Sequence, residues 1–373
     1  MQSRFNRSLC DSLNVMCLAI LMACSEDSLS RNDNQYDYLD YSLDMVQTDV
    51  TDMSLNHDLD QHSEADIDYG NEVANVSDLI CEEYSRSIDA YTLSEHRLPE
   101  ASGLAFSMIS PHSLWSHNDS GDDTRVFAMS DQGEIFGEMI IKDESQDLED
   151  IDIARCPHLD RICIWLADVG DNEKVRDHLS IYIVPEPPTG LPFEAINQQL
   201  LTQGGEALKI SFVLQGGPAD IEALVVHHEG HTLWLFEKIQ GELSRIWQLD
   251  LSVLEMEQVL YQGDDRLEAT LIGEFQAPGI AVEHGQKITA ADLSPLGQHL
   301  LIRVYTGIYE YALSHPYAFE DLTIIDPKLI LLGPLSEPQG ESITYGWQGQ
   351  GLWTVSESQE AVQDLHYLGC KPD

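Results

Sequence analysis

One short phrase recurs five times between residues 101 and 344, and a recurrence of that kind leaves few folds open. The copies are Ala101-Ser102-Gly103-Leu104-Ala105, Leu148-Glu149-Asp150-Ile151-Asp152, Ile221-Glu222-Ala223-Leu224-Val225, Thr289-Ala290-Ala291-Asp292-Leu293 and Gly340-Glu341-Ser342-Ile343-Thr344. Each is a small or acidic pair followed by an apolar residue. After each comes a turn and a second apolar strand, as in Leu114-Trp115-Ser116-His117, Ile162-Cys163-Ile164-Trp165, Leu233-Trp234-Leu235, Leu300-Leu301-Ile302 and Leu352-Trp353-Thr354. Most units add a third strand, such as Arg125-Val126-Phe127 or Ile308-Tyr309-Glu310-Tyr311. Short strands rich in Val, Ile, Trp and Tyr between Gly, Asp and Pro turns predict an all-β chain folded as a single β-propeller. Five blades are readable, and the long intervals between the second, third and fourth phrases could conceal a sixth. The last unit lacks an outer strand, which the unassigned Ile88–Leu93 segment would supply and so close the ring. A β-sandwich is the rival, but it needs no such phrase repetition.

In a propeller the first strand of each blade lines the central channel, so the phrases put Ser102, Glu149, Glu222, Asp292 and Glu341 at comparable depths around one axis. Converging carboxylates repel, which raises their pKa values or calls for a cation. The loops after the second strands open on the same face. His117-Asn118-Asp119-Ser120-Gly121-Asp122 and Ala167-Asp168-Val169-Gly170-Asp171-Asn172 match each other, and Asp-x-Gly-Asp suits either a tight turn or oxygen ligation of calcium. The metal set read from this pattern is Asp119, Glu149, Glu222 and Glu341. Asn118, Lys238 and Arg303 are the ligand-binding candidates, although Lys238 and Arg303 could simply neutralise the acids. The tryptophans Trp115, Trp165, Trp234 and Trp353 recur at equivalent positions and read as packing between blades. His227, His228 and His231 read as a solvated turn on the opposite face.

The first residues bear on location. Arg4 and Arg7 precede an apolar run from Leu13 to Ala23, followed by Cys24, the order of an export signal too short to span a bilayer. The run resembles a bacterial lipobox, and that resemblance implies cleavage before Cys24, lipidation of its thiol and an outer-membrane destination facing periplasm or exterior. From Ser25 to Asp78 the chain is crowded with Asp and Glu and has no apolar period, the composition of a disordered tether. The expected organisation is thus a signal peptide at 1–23, an acidic tether at 24–78 and the propeller at 79–373. With a formal charge of -46, nucleic acid is an unsuitable partner. Membrane contact is expected through the lipid alone, and the protein as a monomer. An extracytoplasmic compartment favours disulfides among Cys81, Cys156, Cys163 and Cys370, for which three pairings exist. A hairpin clip between Cys156 and Cys163 is the simplest and leaves Cys81 with Cys370. Four free thiols are the alternative.

The phrases Ala101–Ala105, Leu114–Asp122, Leu148–Ile151, Asp168–Asn172 and Ile181–Pro187, with Ile221–Leu224, Ala291–Pro295 and Glu341–Tyr345, resemble a family of exported bacterial propellers, distantly similar to phytase-like and gluconolactonase-like propellers. The resemblance covers about Ser94 to Glu357 and implies a central face that binds a divalent cation. It carries no activity with it. No Gly-x-Ser-x-Gly elbow, His-Glu-x-x-His or phosphate-cradling glycine loop is present. Two functions follow. In the first, the chain is a surface module that binds a small molecule or a surface protein around a calcium site. In the second, it is a calcium-dependent hydrolase of phosphoesters, esters or lactones, with His117 as general base and Lys238 and Arg303 holding the developing anion.

Overall fold

The computed structural model describes residues 80–119, 121–141, 143–188, 207–252, 266–332, 337, 339–358 and 362–372, all within one compact unit, Tyr69–Asp373. The expected signal peptide, the tether and the lipidation site Cys24 lie outside the described residues, as do 189–206 and 253–265.

The chain is all-β. Strand β1 (Asp89–Thr92) is followed by a four-stranded antiparallel sheet of β2 (Ala101–Phe106), β3 (Ser113–Asn118), β4 (Arg125–Ser130) and β5 (Ile135–Ile140). Next come β6 (Leu148–Arg155), β7 (Ile162–Asp168), β8 (Leu179–Pro185) and β9 (Leu208–Leu214), then β10 (Ile221–Val226), β11 (Thr232–Glu237), β12 (Ser244–Asp250) and β13 (Leu267–Phe275). These eight form one sheet because β13 pairs in parallel with β9, and since its two edge strands β10 and β6 also touch, the sheet is nearly closed on itself. Strands β14 (Ile288–Leu293), β15 (His299–Val304), β16 (Gly307–Ala312) and β17 (Lys328–Leu332) form another sheet. The ribbon β18 (Gln339–Gly340) with β21 (Ser356–Glu357) flanks the last sheet, in which β19 (Thr344–Tyr345), β20 (Leu352–Thr354) and β22 (Asp364–Leu368) are completed by β1. The early segment does supply the missing outer strand.

The first strands β2, β6, β10, β14 and β19 are all sheet edges, and each touches the next, with β19 returning to β2. Four of the apolar cores sit between sheets, and the fifth fills the inside of the nearly closed eight-stranded sheet. Trp115 packs with Ile151 and Ile164, Trp165 with Ile221 and Leu224, Trp234 with Leu300 and Ile302, and Trp353 with Leu104 and Leu114. Leu301, Ile308, Ile343 and Leu352 make the remaining contact. Inner and second strands are buried on both faces, as β10 and β11 are along their whole length, whereas outer strands such as β5 alternate. That alternation is the mark of a strand with one face toward solvent.

Edge strands expose backbone N–H groups that need partners. Here side chains of the neighbouring first strand provide many of them. The Asp150 carboxylate accepts the Leu224 N–H at 2.8 Å, Asp152 that of Val226 at 2.6 Å, and Asp292 that of Tyr345 at 2.7 Å. Ser102 Oγ donates to Glu149 O at 2.8 Å and Thr289 Oγ1 to Gly340 O at 2.8 Å.

Two disulfides are present, Cys156–Cys163 and Cys81–Cys370, with sequence separations of 7 and 289. The first clips the β6–β7 turn, and the second ties the segment before β1 to the chain after β22. In the chain-entropy picture the long closure stabilises by about 5 kcal/mol and the short clip by about 2 kcal/mol. Chemical denaturation should accordingly show Cys81→Ser/Cys370→Ser losing more stability than Cys156→Ser/Cys163→Ser.

Candidate metal centre

Three of the five first strands, β6, β10 and β14, begin with a one-residue bulge in their pairing to the second strand, at Leu148/Asp150, Ile221/Ala223 and Ile288/Ala290. The skipped residues are Glu149, Glu222 and Thr289, which therefore occupy equivalent places. A bulge re-aims a side chain, and here it turns these residues out of the ladder at the end where the strands enter. Asp292, expected at the depth of Glu149, lies opposite Leu301 in the ladder, just as Asp152 lies opposite Trp165. It belongs three residues deeper. Asp150, Asp152 and Asp292 form this deeper acidic group. Burial, together with the Asp152 and Asp292 charges, holds Asp150 well above the usual carboxylate range.

At the entry end, one oxygen each of Asp119, Asp147 and Glu149 lies within 4.8 Å of the others, a grouping able to hold a metal ion. Asp119 follows β3, Glu149 opens β6 and Asp147 stands two residues before it. Asp147 was not foreseen. The matched loop after β7 positions it: Asp168 Oδ1 accepts the N–H groups of Gln146 at 3.1 Å and Asp147 at 3.0 Å, and Val169 N–H donates to Asp147 O at 3.0 Å. Gly170 completes the cradle. A side chain there would place its Cβ 2.1 Å from Glu149 Oε1 and 2.4 Å from Asp147 Oδ2, so only glycine lets both oxygens crowd this spot. Asp171, by contrast, is a turn former, its carboxylate accepting the N–H groups of Val175 and Arg176.

Charge at this end is strained in a consistent direction. Burial pushes Glu149 well above the ordinary range, and the Glu222 and Asp119 charges push it further. Burial raises Glu222 to about 8 even though Lys238 Nζ donates to its Oε1 at 2.6 Å. Burial disfavours the Lys238 ammonium, but Glu222, Tyr305 and Glu149 outweigh it and hold its pKa above the ordinary value. Lys238 thus neutralises Glu222 and lies 5.7 Å from the Tyr305 ring centroid. Glu341 is not one of the trio. It accepts hydrogen bonds from Tyr305 Oη and Gln339 Nε2, both at 2.8 Å, while burial and Glu341 raise Glu357 to about 7.

The other candidates are spent elsewhere. Arg303 is buried against Glu337, Thr354 and the Ser342 carbonyl, and Glu337 is also bonded to His366, so the guanidinium is part of the packing between β15 and β20 rather than of the carboxylate group. Asn118 bonds Arg97 O at 2.9 Å, Asp122 at 2.7 Å and the Glu100 N–H at 3.2 Å, which makes it a loop staple. His117 is fully buried. Its Nδ1 donates to Asn118 O at 2.9 Å, and its Nε2 stands where a Cβ on Gly103 would be 2.6 Å away and finds no partner among the described residues. Burial lowers it to about 4, so the imidazole is neutral at pH 7. His227, at the opposite end, lies in the partly exposed turn expected of it and also stacks on His231 and Tyr317 at 4.1 Å each.

Comparison of the chain with protein families and with curated proteins finds no match.

The raised pKa of Glu222 has a definite sign. Folding holds its proton between the unfolded value near 4.5 and about 8, so without a cation stability declines as pH climbs through that window. Denaturation in chelator from pH 5 to pH 8 should show this decline, flattened in Glu222→Gln.

Proposed function

We propose that the described residues form a five-bladed β-propeller whose central entry face holds one calcium ion between Asp119, Asp147 and Glu149, and that the protein is a binding or scaffold module of the cell envelope, anchored through Cys24. The propeller reading rests on five edge strands in cyclic contact, an apolar core between each strand group and the next, and a last sheet completed by the earliest strand. The observation that carries the ion is the meeting of the three carboxylates in the Gly170 cradle. An all-oxygen, all-anionic donor set suits a hard cation, and the flexible coordination of calcium suits ligands drawn from separate loops. Supporting the anchor are the basic start, apolar run and Cys24 of the leader. In this reading the ligand or partner is a surface molecule met by the face around the ion.

A hydrolase needs a base beside the ion. His117 is sealed between β2 and β6 with its Nε2 packed against Gly103 and bonded to no group among the described residues, so the geometry favours an ion that shapes the face over one that drives chemistry.

Calcium should raise the melting temperature of the full chain in a saturable way. Glu149→Gln and Gly170→Ala should each weaken that response at least tenfold in calcium concentration, the second by displacing both cradled oxygens. Equal responses in all three proteins would place calcium elsewhere, with the tether the first place to look.

A further inference from the structure

The turn between β10 and β11 crowds three imidazoles into five residues, His227-His228-Glu229-Gly230-His231. His227 sits in the middle of a ring column. Its ring stacks on those of His231 at 4.1 Å, His228 at 4.6 Å and Tyr317 at 4.1 Å. Tyr317 belongs to the loop after β16 and stacks in turn on Trp234 at 5.5 Å, with the ring planes 11° apart. His228 Nδ1 is hydrogen-bonded to Tyr317 Oη. These contacts hold a strained residue in place. The φ of Tyr317 is 63°, in the left-handed region that a bulky side chain adopts only where its surroundings impose it.

The column requires an uncharged His227. Glu229 N–H donates to its Nδ1 at 3.1 Å, so that nitrogen carries a lone pair, and a proton added there would set two donors against each other. Burial opposes the charge, as do His231 and His228, and together they lower His227 to about 4. Burial lowers His228 as well, against the pull of Glu229. The acids around the column are engaged. Glu229 is shared between His228 at 3.4 Å and Arg155 of β6 at 3.5 Å, and Arg155 also holds Asp160 at 2.6 Å. Asp152 of β6, whose charge reaches Tyr317, accepts the N–H groups of Val226 and Ile153. In the loop after β16, His315 and Glu320 pair with each other at 3.6 Å.

We infer that the 227–231 turn and the Tyr317 loop form an acid-released latch, in which protonation of His227 breaks the ring column, frees Tyr317 and uncovers Trp234. The latch lies at the end of the strands away from the carboxylate centre and does not depend on it.

His227 stays neutral in the closed form down to about pH 4 and titrates near 6.5 once released, so opening takes up a proton between those values and is favoured as pH falls through them. Hydrogen-exchange mass spectrometry of the full chain, corrected for intrinsic exchange rates, reads the opening at Tyr317, whose N–H donates to Gly297 O at 2.8 Å. The loop should be open at least tenfold more often at pH 5 than at pH 7.5, while the β2–β5 sheet keeps its protection. His227→Phe, which stacks but takes no proton, should hold the loop closed at both pH values. His231→Gln removes one repelling neighbour, keeps His227 and should shrink the acid response without abolishing it. Equal protection of Tyr317 at the two pH values, an undiminished acid response in either variant, or a loss of protection spread equally over the β2–β5 sheet would overturn the inference.

Discussion

Five edge strands touch one another in cyclic order without a backbone ladder between them, and the polar side chains on those strands answer that arrangement. An unpaired N–H in a buried place is costly. A neighbouring strand too far away for backbone pairing can still reach with a short polar side chain. Asp150, Asp152 and Asp292 do so with carboxylates, and Ser102 and Thr289 bridge to carbonyls with hydroxyls. These side chains tie consecutive first strands together where the apolar cores end.

The same arrangement generates the carboxylate centre. A bulge at the start of β6, β10 and β14 removes one residue from the ladder and turns it out at the entry end, and in two of these strands that residue is a glutamate. Loops from the neighbouring second strands arrive at the same end, bringing Asp119 and the Gly170 cradle. Lys238 fixes its ammonium on Glu222 and reaches Glu149 only through its field. The charge left on Asp119, Asp147 and Glu149 is what a cation would take up. Behind that centre, Glu237, held by Lys174 and Arg245, anchors the loop that carries Gly170 and Arg176.

Much of this was legible in the residues. The five phrases mark the five first strands, the tryptophans mark the second strands and the packing between sheets, and the unassigned Ile88–Leu93 segment closes the last sheet. Both disulfides follow the simplest of the pairings open to the sequence. What failed to show did so for physical reasons. A bulge leaves no mark in sequence, so Asp292 was read at the depth of Glu149 when Thr289 stands there. Arg303 ends its strand much as Lys238 follows its own, yet Glu337, distant in sequence, draws it into the packing. Asp147 lies outside the phrase and acquires its place only through the Asp168 hydrogen bonds. Its signal was the acidic pair two residues apart, Asp147 and Glu149, facing a loop with glycine between two aspartates.

A single cation between Asp119, Asp147 and Glu149 would offset the charge gathered at the entry face. Anomalous diffraction from crystals of the full chain grown with terbium, a calcium mimic, locates such an ion directly. A single strong peak between Asp119, Asp147 and Glu149, with oxygens at about 2.3–2.6 Å, is the result expected. A well-ordered entry face with no peak there, its carboxylates protonated or turned toward Lys238 and Arg176, would contradict it.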